Sequence, residues 1–173
     1  AITFETAVPT VEAFEKRIEN TLPRFPWLVC EVDGAVAGYA YASKHRERAA
    51  YQWSADLSIY VNEKYQRRHI AKDLYRVLEE ILRLQGYYTV FASVTTPNPK
   101  SEAFHAAYGF DTGGVFENVG YKLGEWQSVK WFRYVLTEYA EEPVVPKPFP
   151  EVKDAEAFDK ILRDAEELID SCK

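Results

Sequence analysis

The sequence predicts an α/β domain built on one mixed, twisted sheet with helices packed against it. Three observations carry this expectation. Short apolar segments, such as WLVCEV and YYTVFASV, stop at turn residues, as strands do. A longer segment, IAKDLYRVLEEILRLQ, repeats its apolar residues at helical spacing. The element order is helix, three strands, helix, strand, helix, two strands, which interleaves the two types within one layered domain.

Each element has its own signal. Residues 9–22 read as a helix: Thr10 can cap it, and Val11, Phe14 and Ile18 fall on one face. Residues 27–43, WLVCEVDGAVAGYAYAS, read as a hairpin, because Asp33-Gly34 is a strong turn signal between two apolar runs. YQWSADLSIYV, residues 51–61, reads as the third strand. Residues 70–85 give the clearest helix, with Ala71, Leu74, Tyr75, Leu78, Ile81 and Leu82 in one stripe and Gly86 as its stop. Residues 87–94 form a buried strand. Residues 95–110 give a loop, a short helix and a stop at Gly109, and 113–136 give two strands turning around Leu123-Gly124-Glu125. EEPVVPKPFPEV, 141–152, reads as an extended proline-rich linker. Residues 153–170 form a last amphipathic helix, with Ala155, Phe158, Ile161, Leu162, Ala165, Leu168 and Ile169 on one side. Its stripe must pack on the body or on a second subunit. The organisation is therefore a domain over 1–140, a linker over 141–152 and a C-terminal helix over 153–173, without internal repeats.

Composition narrows the function. The chain has 173 residues, 47% hydrophobic and 28% charged, which suits one globular domain. No apolar run is long enough to span a bilayer, and no secretory segment opens the chain, so the expected location is cytoplasmic. Cys30 and Cys172 have no metal-ligand spacing, and His45, His69 and His105 are scattered, so no metal site is expected. The net charge of −6 belongs to the tail: residues 1–137 carry 16 basic and 16 acidic side chains, residues 138–173 carry 5 and 11. A neutral body argues against nucleic acid as partner, despite Lys64, Arg67, Arg68, Lys72 and Arg76.

The strand–loop–helix at 57–85 is the place for a phosphate-bearing ligand, since free N–H groups and the helix dipole attract anions at a helix start. Its loop, Gln66-Arg67-Arg68-His69-Ile70-Ala71, contains no glycine. Read alone, it is better explained by the solvated basic start of a surface helix.

The stretches FPWLVCEVDGAVAGYAYAS, RAAYQWSADLSIYV, YQRRHIAKDLY, TTPNPKSEAFHAAYGF and GYKLGEWQSVKWF occur in an order and spacing that resembles the GNAT acetyltransferase superfamily, and within it the phosphinothricin N-acetyltransferase group. The resemblance covers most of residues 3–150. It implies the GNAT acyl-CoA N-acyltransferase fold, acetyl-CoA as donor, a small amino-acid-like primary amine as acceptor, and a homodimer. It also implies one more strand and helix ahead of ITFETAVPT, which are missing here. In such families a Gln/Arg-x-x-Gly-x-Gly/Ala loop binds the CoA pyrophosphate through its N–H groups. That loop maps to Gln66, Arg67, Arg68, His69, Ile70 and Ala71, with His69 in place of the first glycine. A negative φ at His69, as at a helix start, would let the loop work whatever the side chain; a positive φ would strain it. Ile59, Tyr60 and Val61 are expected to offer backbone groups to the pantetheine, and Asn98 and Ser101 to contact the same arm.

The resemblance also implies the catalytic pair. Amide formation needs a neutral amine, and a carboxylate can remove the proton of an ammonium, often through water. Asp56, inside the apolar WSADLSIYV, holds the position usually occupied by a glutamate base. His105, in AFHAAYGF, matches the proton donor to the leaving thiolate. For an anionic acceptor, Arg48 and Arg46 are the expected cations, with Arg48 the better match, and Tyr51, Phe4, Tyr121 and Lys122 the expected pocket walls. The rival readings are an acetyltransferase for another small amine or a protein amine, and a non-catalytic acyl-CoA-binding module.

Overall fold

The Asp33-Gly34 turn forms as expected. Both residues take positive φ, 52° and 76°, the mirror-image turn whose twist matches an antiparallel strand pair. It joins β1 (Trp27–Val32) to β2 (Ala35–Lys44). A computed structural model describes the backbone of residues 3–171 and the side chains through residue 167; Leu168, Ile169 and Cys172 lie outside the described side chains.

Helix α1 (Val11–Thr21) precedes the hairpin, and the Thr10 hydroxyl accepts from the N–H of Ala13 as its cap. After β2, Ala49–Tyr51 curl into a 3-10 turn, so β3 begins at Ser54 rather than at Tyr51. Helix α2 (Ile70–Gln85), β4 (Thr89–Thr96), α3 (Pro99–Tyr108), β5 (Asp111–Lys122) and β6 (Glu125–Val135) follow. The six strands lie in the order β1-β2-β3-β4-β6-β5. All neighbours are antiparallel except β3 and β4, which α2 connects.

Helix α2 is apolar on two sides. Leu74, Tyr75, Leu78 and Leu82 seal one face of the sheet against Ala40, Ala55, Leu57 and Val90. Each such aliphatic side chain contributes about 1.5–3 kcal/mol by leaving water. Val77 and Ile81 form a second cluster with Val152 and Ala165. Those two belong to α4 (Phe149–Lys153) and α5 (Glu156–Ser171). The C-terminal stripe thus packs on the body.

The proline-rich stretch is less free than its composition suggests. It turns helical at Phe149, and it is tied down before that. The Gln85 amide donates to Lys147 O at 2.8 Å and to Arg24 O at 2.9 Å, while Lys147 N donates to Gln85 O at 2.7 Å. The Trp53 indole donates to Val144 O at 2.8 Å. Proline leaves backbone carbonyls without neighbouring N–H groups, and buried side-chain donors satisfy them here.

Candidate active site

The site is set by an interruption in the sheet. β2 and β3 stay in register from Lys44↔Ala55 to Gly38↔Val61. β3 and β4 pair only at Ser54↔Thr89, Ala55↔Val90 and Asp56↔Phe91. β4 then continues along β6 as far as Thr96↔Ser128. The two parallel strands therefore part after Asp56 and Phe91. On the side facing β4, β3 has no ladder partner from Leu57 to Val61, which leaves backbone groups there for a ligand. Ile59, Tyr60 and Val61 occupy this stretch.

At the open end of β3 the chain reverses into α2. A cleft of about 840 Å³ lies there, walled by Val61, Gln66, Arg67, His69, Ala71 and Lys72 on one side and by Phe104, Ala107, Tyr108 and Tyr134 on the other. His69 is the N-cap of α2 and makes no side-chain capping bond, so the first N–H groups of the helix stay free of it. The Arg68 guanidinium lies 5.6 Å from the Tyr65 ring centre. Of the two backbone signs open at His69, the positive one is found: Arg67 has φ 66° and His69 has φ 60°. This left-handed conformation costs a residue with a Cβ about 1–2 kcal/mol. The loop keeps a glycine-like path although no glycine is present, because it must turn tightly enough to start α2 with Ile70 buried under it.

Asn98 and Ser101 open α3. The Asn98 side chain accepts from Ser101 N at 3.3 Å, and Ser101 O accepts from the His105 ring at 2.8 Å. Glu102 completes this start: its carboxylate accepts from Thr96 Oγ1, Asn98 N and Lys130 Nζ at 2.8, 3.0 and 3.1 Å. These bonds hold its pKa down to about 2, with the Asn98 N–H the largest contributor.

His105 is 3% exposed. A carbonyl can only accept, so Nδ1 carries the proton given to Ser101 O, and Nε2 accepts from the Tyr75 hydroxyl at 3.2 Å. The ring stacks on Phe132 at 5.0 Å, and burial lowers its pKa. It is a neutral, doubly bonded ring with neither nitrogen open to the cleft. Any proton it passes to a thiolate must travel through Tyr75 or follow a rearrangement.

Asp56 lies on the opposite face of the sheet from α2, at the apex of the opening. Burial raises its pKa, and a hydrogen bond and charge from His45, with Arg46 behind, oppose the shift. His45 Nδ1 is 2.6 Å from Asp56 Oδ1. The imidazole stacks on Phe91 at 4.2 Å and meets Trp131 and Tyr51 edge-on at 5.9 and 6.0 Å. Arg46 lies over Trp131 at 5.5 Å.

Of the expected acceptor-binding residues, Arg46 and Tyr51 thus gather beside Asp56. Arg48 does not: it lines a separate recess of about 240 Å³ with Arg24, Phe25, Lys44 and Tyr87. Arg48 is the residue at the start of the 3-10 turn Ala49–Tyr51. Phe4 and Lys122 both lie instead toward the end of β5. Lys122 Nζ donates to Thr3 O at 2.7 Å, and a Cβ on Gly120 would come within 3.1 Å of the Phe4 ring. Tyr121, the other expected pocket wall, is 60% exposed.

The residue missed from sequence is His45. It follows Lys44, the last residue of β2, which pairs with Ala55, so the chain leaves the ladder beside Asp56. Among the described residues, no group of three or more His, Cys, Asp or Glu is placed to hold a metal ion.

Residues 1–131 match the family model described as an acetyltransferase (GNAT) domain. The chain is 34% identical over 147 residues to a phosphinothricin N-acetyltransferase of Streptomyces viridochromogenes, covering 85% of this chain and 78% of that one. It is 28% identical over 116 residues to an L-methionine sulfoximine/L-methionine sulfone acetyltransferase of Salmonella typhimurium, covering 67% and 68%. Its fold superposes on a crystal structure of a phosphinothricin acetyltransferase from Sinorhizobium meliloti in complex with AcCoA with a TM-score of 0.76 at 28% identity, over 86% of this chain and 84% of that one. With a parted β3–β4 pair, a basic loop feeding α2 and this match over most of its length, the chain belongs to the GNAT acetyltransferase family.

Proposed function

We propose that this chain transfers acetyl from acetyl-CoA to the primary amine of a small amino-acid-like acceptor, of the phosphinothricin or methionine sulfoximine/sulfone type. The observation that carries the reading is the placement of Asp56 at the last paired residue before β3 and β4 part. An acyl group held between the strands would end beside a carboxylate, while its diphosphate would reach the start of α2. The cleft fits such a donor: it is large, apolar along Val61 and Phe104, and basic at Arg67, Lys72 and Arg76.

In this reading the thioester is held against the free edge of β3, with N–H groups there available to the carbonyl oxygen as it becomes an oxyanion. Deprotonation of the acceptor ammonium depends on Asp56. The amine then attacks directly, without an acyl-enzyme. Arg46 acts on that carboxylate through its charge and supports an acceptor bearing its own anionic group. The two named relatives act on acceptors of this kind.

A homodimer is part of the proposal, supported by apolar residues exposed on the β5–β6 hairpin: Phe116, Val119, Tyr121 and Trp126. No described helix is long and apolar enough to cross a membrane.

One observation favours a second reading, a non-catalytic acyl-CoA-binding module: the phosphate loop carries two non-glycine residues at positive φ. Thiol release from acetyl-CoA separates the two. Phosphinothricin, methionine sulfone, methionine sulfoximine, a polyamine and a lysine peptide form the panel. Release with an amino-acid analogue is expected; acetyl-CoA binding by calorimetry with no release from any amine would favour the module.

A further inference from the structure

We infer that His45 is the group that takes the proton from the acceptor amine, and that Asp56 is a positioning residue that holds its ring. The inference rests on the acetyltransferase reading and assigns its base.

Three geometric facts carry it. First, His45 Nδ1 and Asp56 Oδ1 are 2.6 Å apart, a distance for a charge-assisted bond from an N–H to a carboxylate. This places the proton of the neutral ring on Nδ1 and leaves Nε2 with a lone pair, the tautomer a general base requires. Second, Nε2 hydrogen-bonds nothing among the described residues, yet it is not among the sealed polar atoms that lack a partner. It remains open to an incoming group. Third, the ring is oriented by stacking on Phe91, the residue paired with Asp56 where the strands part. Imidazole thus extends reach from the apex of the opening, which the short aspartate side chain lacks.

The surroundings suit the role. Tyr51 and Arg46 come from the segment after β2, Trp131 from β6 and Asp56 from β3. On β6, Arg133 lies opposite Phe91 in register and is paired with Asp111. Asp56 is the carboxylate bonded to His45, and it compensates the imidazolium that forms.

Nε2 of neutral His45 takes one proton from the acceptor ammonium and passes it to solvent. The amine lone pair forms the C–N bond to the thioester carbonyl. On collapse the C–S bond breaks, with its electron pair going to sulfur. Nitrogen loses a second proton, which ends on the CoA thiol.

The test compares wild type, His45→Gln, His45→Phe and Asp56→Asn across pH, with thiol release as readout and calorimetry for acetyl-CoA. The glutamine amide can still donate to Asp56 but cannot accept the proton, and phenylalanine keeps the stack on Phe91. Both are expected to lose about 100-fold or more in kcat, with unchanged acetyl-CoA affinity, and to lose the acidic limb of kcat/KM. Asp56→Asn is expected to lower kcat as well, with unchanged acetyl-CoA affinity, because the ring loses the carboxylate that holds it. Wild-type kcat/KM and an intact limb in His45→Gln would overturn the inference while leaving the acetyltransferase reading standing. Silence of the wild type with every amine would instead strike the acetyltransferase reading. In that case histidine-selective 15N NMR of the acetyl-CoA complex decides about His45 without turnover. The Nδ1–H tautomer is expected, and the Nε2–H tautomer overturns the assignment.

Discussion

Ala40, Ala42, Ala55, Leu57 and Val90, on the α2 side of the sheet, are sealed under a 16-residue helix. On the opposite side Tyr41, Asp56 and Trp131 are only partly covered and Ser93 is exposed. The same strands supply both sides. The sealed side positions the donor cleft through backbone: a parted ladder, a helix start and a loop at positive φ. The partly open side positions chemistry through side chains, namely His45, Asp56, Arg46 and the rings around them. A backbone device tolerates side-chain change, as His69 in place of glycine illustrates. A side-chain device does not.

The largest effect expected from this contrast is at Asp56. Asp56→Asn should lower kcat by about 10²–10⁴-fold while acetyl-CoA affinity stays within twofold, as checked by steady-state kinetics and calorimetry. Equal losses in both would break the division between the sides.

Adjacent residues on β6 sharpen it. Phe132 is 1% exposed against His105, whereas Trp131 stands over His45 and Arg46. Phe132→Ala should cost about 3–5 kcal/mol in urea unfolding. Trp131→Ala should cost less than half of that, yet raise the acceptor KM more than the acetyl-CoA KM.

Next comes a pH effect on the sealed side. Glu79 is buried on α2, and burial raises its pKa to about 7, against the pull of Arg83. Among the described residues its Oε1 has no hydrogen-bond partner. A carboxyl with a raised folded pKa binds more protons folded than unfolded, so stability falls as pH rises from the ordinary carboxylate range to about 7. The fall should be about 1–3 kcal/mol. Glu79→Gln should flatten it and be the more stable protein at pH 8, as read from urea midpoints. An unchanged pH profile would remove Glu79 as its source.

The smallest effect expected is at the loop. His69→Gly relieves the positive φ and should stabilise the fold by about 1 kcal/mol, while preserving or tightening acetyl-CoA binding. A large loss of affinity would mean that the imidazole itself contacts the donor, and the loop would then not be a backbone device.

Much of the fold was legible because its signals are local. Asp33-Gly34 demanded a turn, the α2 stripe demanded a helix, and Gly86 and Gly109 ended helices at the positive φ that glycine accepts. Boundaries failed where a distant partner decided them. Tyr51 curls because the chain must step from β2 to β3, and the proline-rich stretch docks because Gln85 and Trp53 supply donors from far along the chain. In the site, the strand position of Asp56 and the basic loop were readable, and the resemblance supplied their roles. The burial of His105 was not, since α3 has weak amphipathic patterning and its ring is enclosed by Tyr75, Phe110 and Phe132 from three other segments.

By itself the sequence determined the element order, the two hairpin turns and the candidate donor loop, because periodicity and turn chemistry act over a few residues. Only the tertiary structure decided that β3 and β4 part after Asp56, that Arg46 and not Arg48 stands near it, and that His45 is its partner. These depend on register and on which side of a strand a residue faces. Both are settled by packing between segments distant in the chain, where a shift of one residue reverses every side chain.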